Sequence, residues 1–422
     1  MGSLRGELDA IVVGAGAAGL AAGRRLQEAG TAVLVLEARS RLGGRAWTQR
    51  TPLGPAIDLG CEWLHSADRN PWAGIARRLG FTIDETLPDW GSRIAHRRGT
   101  DARRAWSESY AAFQARLEKA ASATEDRPAS TLLEPGARWN ELANAISTWA
   151  NGVELDRLSV QDHERYRDSG VNWRVPRGYG ALIAAYGARV PVGLATVVEQ
   201  IDHGAALLAV VTGQGTLRAR AVILTVSTNV LAAEAIRFTP PLPDKIAAAQ
   251  GLPLGVANKL FLALDGVAEE FPVERHVLGT TDRTATGSYH LRPHGWPMIE
   301  AYFGGTLATA LERGGAAAMA AFAAEELSSL FGNRIRRRLS VLGASSWVGD
   351  PFARGAYSYA LPGHADDRRR LAAPVGDRLF FAGEACSPDY FSTAHGAYLS
   401  GTAAAEAALA TLGMTASAPK PG

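Results

Sequence analysis

Three glycines constrain this chain more than any other feature. The segment Gly14-Ala15-Gly16-Ala17-Ala18-Gly19 follows a β-branched run, DAIVV at residues 9–13, and leads into residues 20–29, which read as a helix ended by Gly30. A chain so ordered turns tightly at the first glycine, lets its backbone approach a ligand at the second and packs helix on strand at the third. TAVLVL at 31–36 returns as a second strand ending at Glu37, which completes a βαβ unit. The helix directs free N–H groups and its positive dipole end at a pyrophosphate. A carboxylate at Glu37 accepts hydrogen bonds from both ribose hydroxyls, which disfavours a 2′-phosphate. These residues call for a Rossmann-like dinucleotide-binding domain, with Gly14, Ala15, Gly16, Ala18, Gly19 and Glu37 as contacts.

The next turn selects the nucleotide. RSRLGGR at 39–45 places Arg39, Arg41, Gly43, Gly44 and Arg45 directly after Glu37 and Ala38. Guanidinium groups pair bidentately with phosphate and the glycines admit close backbone approach, which points to FAD rather than NAD. An exposed basic loop is the plain alternative. Near the other end, FFAGE at 380–384 precedes STAHGAYLSG at 392–401, which opens a helix. That N-terminus is expected to stabilise negative charge on the reduced isoalloxazine.

At 422 residues the chain is long for a single core, so two or three domains are expected. Lys and Arg number 44 against 42 Asp and Glu, a net charge of +2 that argues against nucleic acid or an anionic membrane as partner. Cys61 and Cys386 supply no disulfide framework, and residues 1–8 carry no signal-like apolar run, so the cytoplasm is the expected compartment. The apolar stretch at 10–22 is too short and glycine-rich to span a bilayer. Residues 102–123 read as a helix, 126–136 as a surface loop, 205–224 as two strands about a turn at 213–215, and 258–264 as a strand. Residues 316–331 and 396–412 read as alanine-rich helices. No HExxH, CxxC or GxSxG arrangement is present, and no metal is expected.

Taken together, VVGAGAAGLAAGRRL…VLVLEARSRLGGR, IDLGCEWLH, VPRGYGALI, FTPPLPDKI…PLGVANKLFL, SSWVGDPFARGAYSY and FAGEACSPDYFSTAHGAYLSG resemble the flavin amine oxidase family. The family includes monoamine, polyamine and L-amino-acid oxidases. The motifs run in the family's order from residue 9 to about 410, with residues 85–170 matching least. The resemblance implies α/β and α+β architecture: a discontinuous, Rossmann-like FAD-binding domain from 1–80, 175–248 and 345–413, and a substrate domain with a mixed sheet and helices from 81–174 and 249–344. Residues 414–422 would form a tail. It further implies FAD contacts at Gly60, Glu62, Trp63, Val198, Thr225, Trp347, Gly383, Glu384, Thr393 and Ala394, with Glu62 and Trp63 acting through their backbone. Ala356 stands where mitochondrial monoamine oxidases attach flavin through cysteine, so the FAD is expected to be non-covalent.

Three residues are expected to carry chemistry. Lys259 lies in an otherwise apolar strand, where an ammonium must be paired, functional or snorkelling; by resemblance it holds a water against flavin N5. Tyr357 matches one wall of the family's aromatic cage, and such a wall attracts an alkylammonium. Thr393 stands in place of the opposite tyrosine, so the cage is incomplete or is completed by Tyr390, Phe391 or Trp347. His65 matches a position that faces substrate, where an imidazole can exchange a proton. The implied reaction passes hydride from an amine α-carbon to the flavin, giving an imine and then, with oxygen and water, hydrogen peroxide and a carbonyl compound. A polyamine is the favoured substrate. An L-amino-acid oxidase, needing a carboxylate clamp for which Arg167, Arg174 and Arg292 are available, and a desaturase are the alternatives on the same fold. A non-catalytic flavin-binding or electron-transfer protein is the alternative of another class.

Overall fold

From Ala10 onward the strand Leu8–Val13 is apolar on both faces, and both are buried. Ala10 and Val12 enter one core while Ile11 and Val13 enter another, as expected of a strand inside a parallel sheet covered on both sides. It pairs in parallel with Val33–Leu36 and with Gly215–Leu224. The full sheet has eight strands: Arg237–Thr239, Val198–Asp202, Leu208–Thr212, Gly215–Leu224, Leu8–Val13, Val33–Leu36 and Val192–Gly193 in order, with Leu379–Phe381 also paired to Gly215–Leu224. The strand Gly215–Leu224 changes role along its length. Its first half forms an antiparallel hairpin with Leu208–Thr212, and its second half runs parallel to Leu8–Val13 and Leu379–Phe381. This computed structural model describes residues 7–88, 90, 95–266 and 268–414, excepting the side chains of 95–100. The N-terminal residues 1–6, and all of the expected tail but Met414, lie outside the described residues.

Register decides where the site lies. Val13 stands opposite Leu36 and Leu224, and Leu224 opposite Phe381. The carboxyl ends of four parallel strands are therefore level, and the residues just beyond them open a shared crevice, the usual ligand position in such sheets. The first helix, Ala17–Glu28, starts earlier than residue 20 because Gly16, in extended conformation, is its N-cap. It packs along the last helix, Ala394–Leu412, through small residues: Ala18, Ala22, Ala404, Ala405 and Ala408 share one core. A Cβ on Gly401 would collide with the Ala18 carbonyl, so close backbone approach requires glycine there.

A second sheet is built from residues 257–344: Arg275–Leu278, Ser288–Leu291, Met298–Gly304, Ala257–Leu264 and Leu339–Ala344. Strand directions mix in the eight-stranded sheet; this one, where the resemblance implies a mixed sheet, is antiparallel throughout. One face packs Leu260, Leu262, Ile299, Ala301, Phe303 and Tyr289 against the helices Gly305–Arg313 and Gly315–Phe331. The other face is the wall of the site. Helices Ala95–Ala121, Asn140–Ala150 and Val160–Arg165 lie beside it. The expected surface loop at 126–136 is partly buried: Ala129 is fully covered, and it joins Phe113 and Leu117 in a small core. Its apolar residues find a partner in the long helix, which local turn signals do not reveal. Among the described residues, no helix is long and apolar enough to cross a membrane.

An ion pair without solvent contact joins these parts. Asp162, on the short helix Val160–Arg165, receives Arg368 Nε at 2.7 Å and NH2 at 2.8 Å, with side-chain exposures of 0% and 1%. Arg368 also donates to Ser358 Oγ and lies 3.7 Å from the Phe391 ring centroid. Removing one partner leaves the other charge buried and uncompensated. Asp162→Asn is therefore expected to lower the unfolding free energy by about 3–5 kcal/mol, measured by urea denaturation against the parent protein.

Candidate functional site

A cavity of about 880 Å³ lies where the carboxyl ends of the parallel strands meet the free face of the antiparallel sheet, within the size range of ligand pockets. At the first of these walls, Gly14 has a positive φ of 101° and a Cβ there would strike the Thr225 hydroxyl. A Cβ on Gly19 would overlap the Gly14 carbonyl oxygen, and one on Gly43 would overlap that of Ala46. The first helix has no side-chain cap, and Gly16, Ala17 and Ala18 at its start line the cavity, so its N-terminal N–H groups are available to an anion. Glu37 is buried and already accepts from the N–H groups of Ala15 at 2.7 Å and Arg39 at 2.9 Å. Each carboxylate oxygen retains a second acceptor direction.

These features form a cradle of open backbone, a helix dipole and a fixed carboxylate, and they fit a dinucleotide. Of the residues singled out in the sequence for cofactor contact, all but Ala15, Gly19 and Arg41 lie on the cavity wall. Ala15 and Gly19 act from behind it, Ala15 by orienting Glu37 and Gly19 by admitting the Gly14 carbonyl. The arginines are more committed than their sequence suggests. Arg39 binds Asp350 through NH2 at 2.6 Å, Arg45 NH1 binds Glu384 at 2.9 Å, and Arg41 lies over the Trp47 ring, off the cavity wall. Burial, with Arg39 nearby, lowers Arg41 to about 10.

The chemistry sits on the other wall. Strand alternation turns Lys259, Glu300, Tyr302, His290, Ser288, His276 and Leu278 onto the cavity face, the opposite face being the helix-packed core. Glu300 stands directly across from His290, and His290 from His276, in adjacent strands. Lys259 Nζ pairs with Glu62 at 2.5 Å and Glu300 at 2.8 Å, with 8% of its side chain exposed. The lysine is paired on a central strand; it does not snorkel. Glu62 corrects the sequence reading, since its carboxylate, and not only its backbone, contributes to the site. Trp63 lines the wall beside it, with the Arg174 guanidinium 5.0 Å from its ring centroid.

Burial lowers the Lys259 ammonium, yet Glu300 and Glu62 outweigh it and hold the group charged well above the usual lysine range. The two acids move apart. Burial and the Glu300 charge push Glu62 up to about 7; burial also acts on Glu300, but Lys259 and His290 hold it well below the usual carboxylate range. Glu62 thus gains or loses its proton near neutrality while Glu300 stays ionised. Glu62, Glu300 and His290 are close enough together to hold a cation, and Lys259 already supplies one.

Tyr357 and Tyr302 share a hydroxyl contact at 3.0 Å, and Tyr357 donates to the Trp149 carbonyl at 2.5 Å. Trp149, Trp106, Tyr110 and Phe391 line the same cavity, so the aromatic wall is broad. Trp347 is on the wall, anchored by Nε1 to the Leu59 carbonyl at 3.1 Å. Tyr390 is not on the wall; its ring packs against His395. Thr393 accepts from the Gly396 N–H, capping the last helix. His65 Nδ1 is 2.7 Å from Asn172 Oδ1, while the Asn172 amide nitrogen donates to Gly170. Nδ1 therefore carries hydrogen and Nε2 is an acceptor. Burial lowers the His65 pKa, so the ring is neutral near pH 7.

None of the arginines considered as a carboxylate clamp reaches the cavity wall. Arg174 is held by Asp84 and Glu274, Arg292 by Glu269 and Arg167 by Asp389. The sequence reading missed Glu300, His290, His276 and Tyr302. A lone acid in MIEAYFG carries the same signal as the lysine in ANKLFLAL, but cross-strand register is needed to put them together.

His290 supplies a pH test. Burial lowers its pKa, but the Glu274 hydrogen bond and the nearby Glu300 and Glu274 charges outweigh this, so the net shift is upward. A raised native value stabilises below the unfolded value of about 6.5 and is lost as pH rises through the native one. His290→Gln is therefore expected to cost about 1.5–3 kcal/mol at pH 6 and distinctly less at pH 9, read from chemical denaturation at the two pH values.

Residues 17–163 and 152–409 match the flavin containing amine oxidoreductase family. The chain is 31% identical over 438 residues to a probable polyamine oxidase 4 of Arabidopsis thaliana, covering 94% of this chain and 86% of that one. It is 31% identical over 435 residues to polyamine oxidase 3 of Oryza sativa subsp. japonica, with 94% and 88% covered. A lysine-specific histone demethylase 1 homolog of Arabidopsis thaliana is 29% identical over 441 residues, which span 93% of this chain and 51% of that protein. In fold, it superposes on a putrescine oxidase bound to putrescine with a TM-score of 0.75 at 18% identity, covering 96% and 99% of the two chains. The cradle for a dinucleotide, the buried lysine and these matches together make the chain a member of the flavin-containing amine oxidoreductase family.

Proposed function

We propose that the chain is a non-covalent FAD-dependent oxidase of polyamine-type amines, with dioxygen as electron acceptor and hydrogen peroxide as product. The observation that carries this reading is the single cavity that joins the glycine cradle to Lys259, Glu62, Glu300 and the Tyr302–Tyr357 pair. The FAD-binding part comprises 1–80, 175–248 and 345–413, and the substrate part 81–174 and 249–344. Gly14, Gly16, Ala18, Glu37, Ala38, Arg39, Gly43, Gly44 and Arg45 would hold the adenosine and pyrophosphate. Gly60, Trp63, Val198, Thr225, Trp347, Gly383, Glu384, Thr393 and Ala394 would enclose the rest. When bound, FAD supplies a two-electron acceptor for the hydride that leaves the amine α-carbon.

The residues of the chain do the remainder. Glu62 and Glu300 hold the Lys259 ammonium between them, which leaves it unavailable to a substrate carboxylate and favours an amine without one. The absence of Arg167, Arg174 and Arg292 from the wall weakens the amino-acid alternative. The aromatic wall supplies an apolar face that excludes water and attracts an alkylammonium. Neutral His65 offers an acceptor at Nε2, and Glu62, shifted toward neutrality, can take the proton that an ammonium must lose. Two free thiols, Cys61 and Cys386, suit a reducing compartment such as the cytoplasm.

Two measurements test the reading. FAD-loaded protein mixed anaerobically with polyamines, monoamines and L-amino acids should bleach with the polyamines and release peroxide in air. Bleaching by L-amino acids alone, or by nothing, overturns it. Gly19→Val places branches on the Gly14 carbonyl. Overpacking of about 1–3 kcal/mol should weaken FAD binding by about tenfold or more, read from flavin retained after desalting.

A further inference from the structure

A line of ionisable groups continues from the buried lysine to the protein surface, and the amine-oxidation reading does not use it. Lys259 Nζ contacts Glu300 Oε1 at 2.8 Å. Glu300 Oε2 lies 3.8 Å from His290 Nδ1, and His290 Nε2 is 2.9 Å from Glu274 Oε2. Glu300 and His290 are buried, with side chains 9% and 4% exposed, and Glu274 opens the line to solvent at 32%. Asp84 and His294 stand at its outer end, with side chains 21% and 23% exposed and 3.3 Å between them. We propose that Glu300, His290 and Glu274 form a proton conduit between the buried Glu62–Lys259 pair and solvent.

Chemistry demands such a route. A substrate entering as R–CH2–NH3⁺ must release one N–H proton before its α C–H departs with both electrons to FAD, leaving R–CH=NH2⁺. Dioxygen then receives those two electrons and that hydrogen, together with one proton, and becomes hydrogen peroxide. One proton leaves the buried site in the first half-cycle and one returns in the second. Glu62 faces the cavity and touches Lys259, so it is the group that exchanges this proton with the substrate.

The geometry of His290 fits a relay. Its Nε2 faces the Glu274 carboxylate and so carries hydrogen, whereas Nδ1 is buried, has no hydrogen-bond partner among the described residues and faces Glu300. A proton taken up at Nδ1 from the Glu300 side releases another from Nε2 to Glu274, and the ring then returns by the reverse exchange or a tautomer change. His276 stacks on the ring at 4.0 Å and 17°, which fixes its plane between the two acids. Arg174 NH2 binds Glu274 at 2.7 Å and Asp84 at 2.9 Å. It keeps the outer carboxylate ionised: although burial raises Glu274, His290 and Arg174 leave it well below the usual range. Acid, imidazole and acid alternate along the line, so an imidazole that can both take and give a proton stands between two acceptors. Glu300, His290 and Glu274 act on the substrate only through Glu62, as positioning residues for its proton.

This inference rests on the amine-oxidation reading, and one experiment separates the two. FAD-loaded protein in weak buffer at pH 7 is mixed anaerobically with spermidine and a pH-indicator dye, following flavin bleaching and proton release together. In the parent protein the dye should respond in step with bleaching. In Glu274→Gln bleaching persists, and in both Glu274→Gln and His290→Gln proton release lags behind whatever bleaching occurs by about 10²-fold, within the range expected for losing a positioned proton carrier. Added imidazole should remove the lag in Glu274→Gln, which a merely structural defect would not allow. Glu274 is one-third exposed and so the milder variant, and the bound-flavin spectrum checks the fold of each. Dye response in step with bleaching in both variants overturns the conduit. Failure of spermidine to bleach the parent protein overturns instead the reading on which it rests.

Discussion

The buried carboxylate of Glu384 is the contact on which the architecture turns. It accepts from Arg45 NH1 at 2.9 Å, from the Ser358 N–H at 3.2 Å and hydroxyl at 2.6 Å, and from the Ser392 N–H at 2.9 Å. Burial alone would raise its pKa, but the Arg45 charge and the Ser358 hydroxyl hold it below the usual range. The donors come from widely separated parts of the chain. Through Ser358 the network continues to Arg368 and Asp162, so the first βαβ unit, the last helix and the intervening helical segment share one buried set of charges. Such networks are costly when incomplete and orienting when complete. Here completeness fixes how the two ends of the chain close over one cavity.

That cavity is made from two surfaces of different physical character. Parallel strands contribute their carboxyl ends, where turns and a helix start leave backbone N–H groups free to hold phosphate. The antiparallel sheet contributes a face, on which alternation allows a row of polar side chains to stand opposite a packed core. Each surface does what the other cannot. Backbone ends bind anions without carrying ionisable side chains, and the sheet face carries Lys259, Glu300, His290 and His276 in fixed register.

The cost of burying that row sets its chemistry. Two acids around one ammonium cannot both remain ordinary carboxylates, so Glu62 rises toward neutrality while Glu300 falls. A group that can hold or yield a proton near pH 7 is thereby made from an ordinary glutamate by its neighbours. Shifts of this kind, in a cleft and beside a named charge partner, are common at functional sites and occur in structural ion-pair networks as well.

Local features were legible in the sequence wherever a residue type answers to backbone geometry. Glycine at 14, 16 and 19, an acid closing the second strand, and alanine-rich helices with glycine punctuation specify a βαβ unit because φ/ψ limits and strand or helix periodicity act over a few residues. Lys259 stood out because an ammonium inside an apolar strand is expensive wherever it lies. Partnerships were not legible. That Arg39 and Arg45 are held by Asp350 and Glu384, that Arg174 is locked away from the cavity, that Thr393 caps a helix and that Glu62 meets Glu300 across a lysine all depend on register and on which sheet face is covered. Sequence sets the intrinsic cost of each buried group, whereas only the tertiary structure decides which neighbour offsets it, because Coulomb and hydrogen-bond energies depend on distances that chain order does not contain.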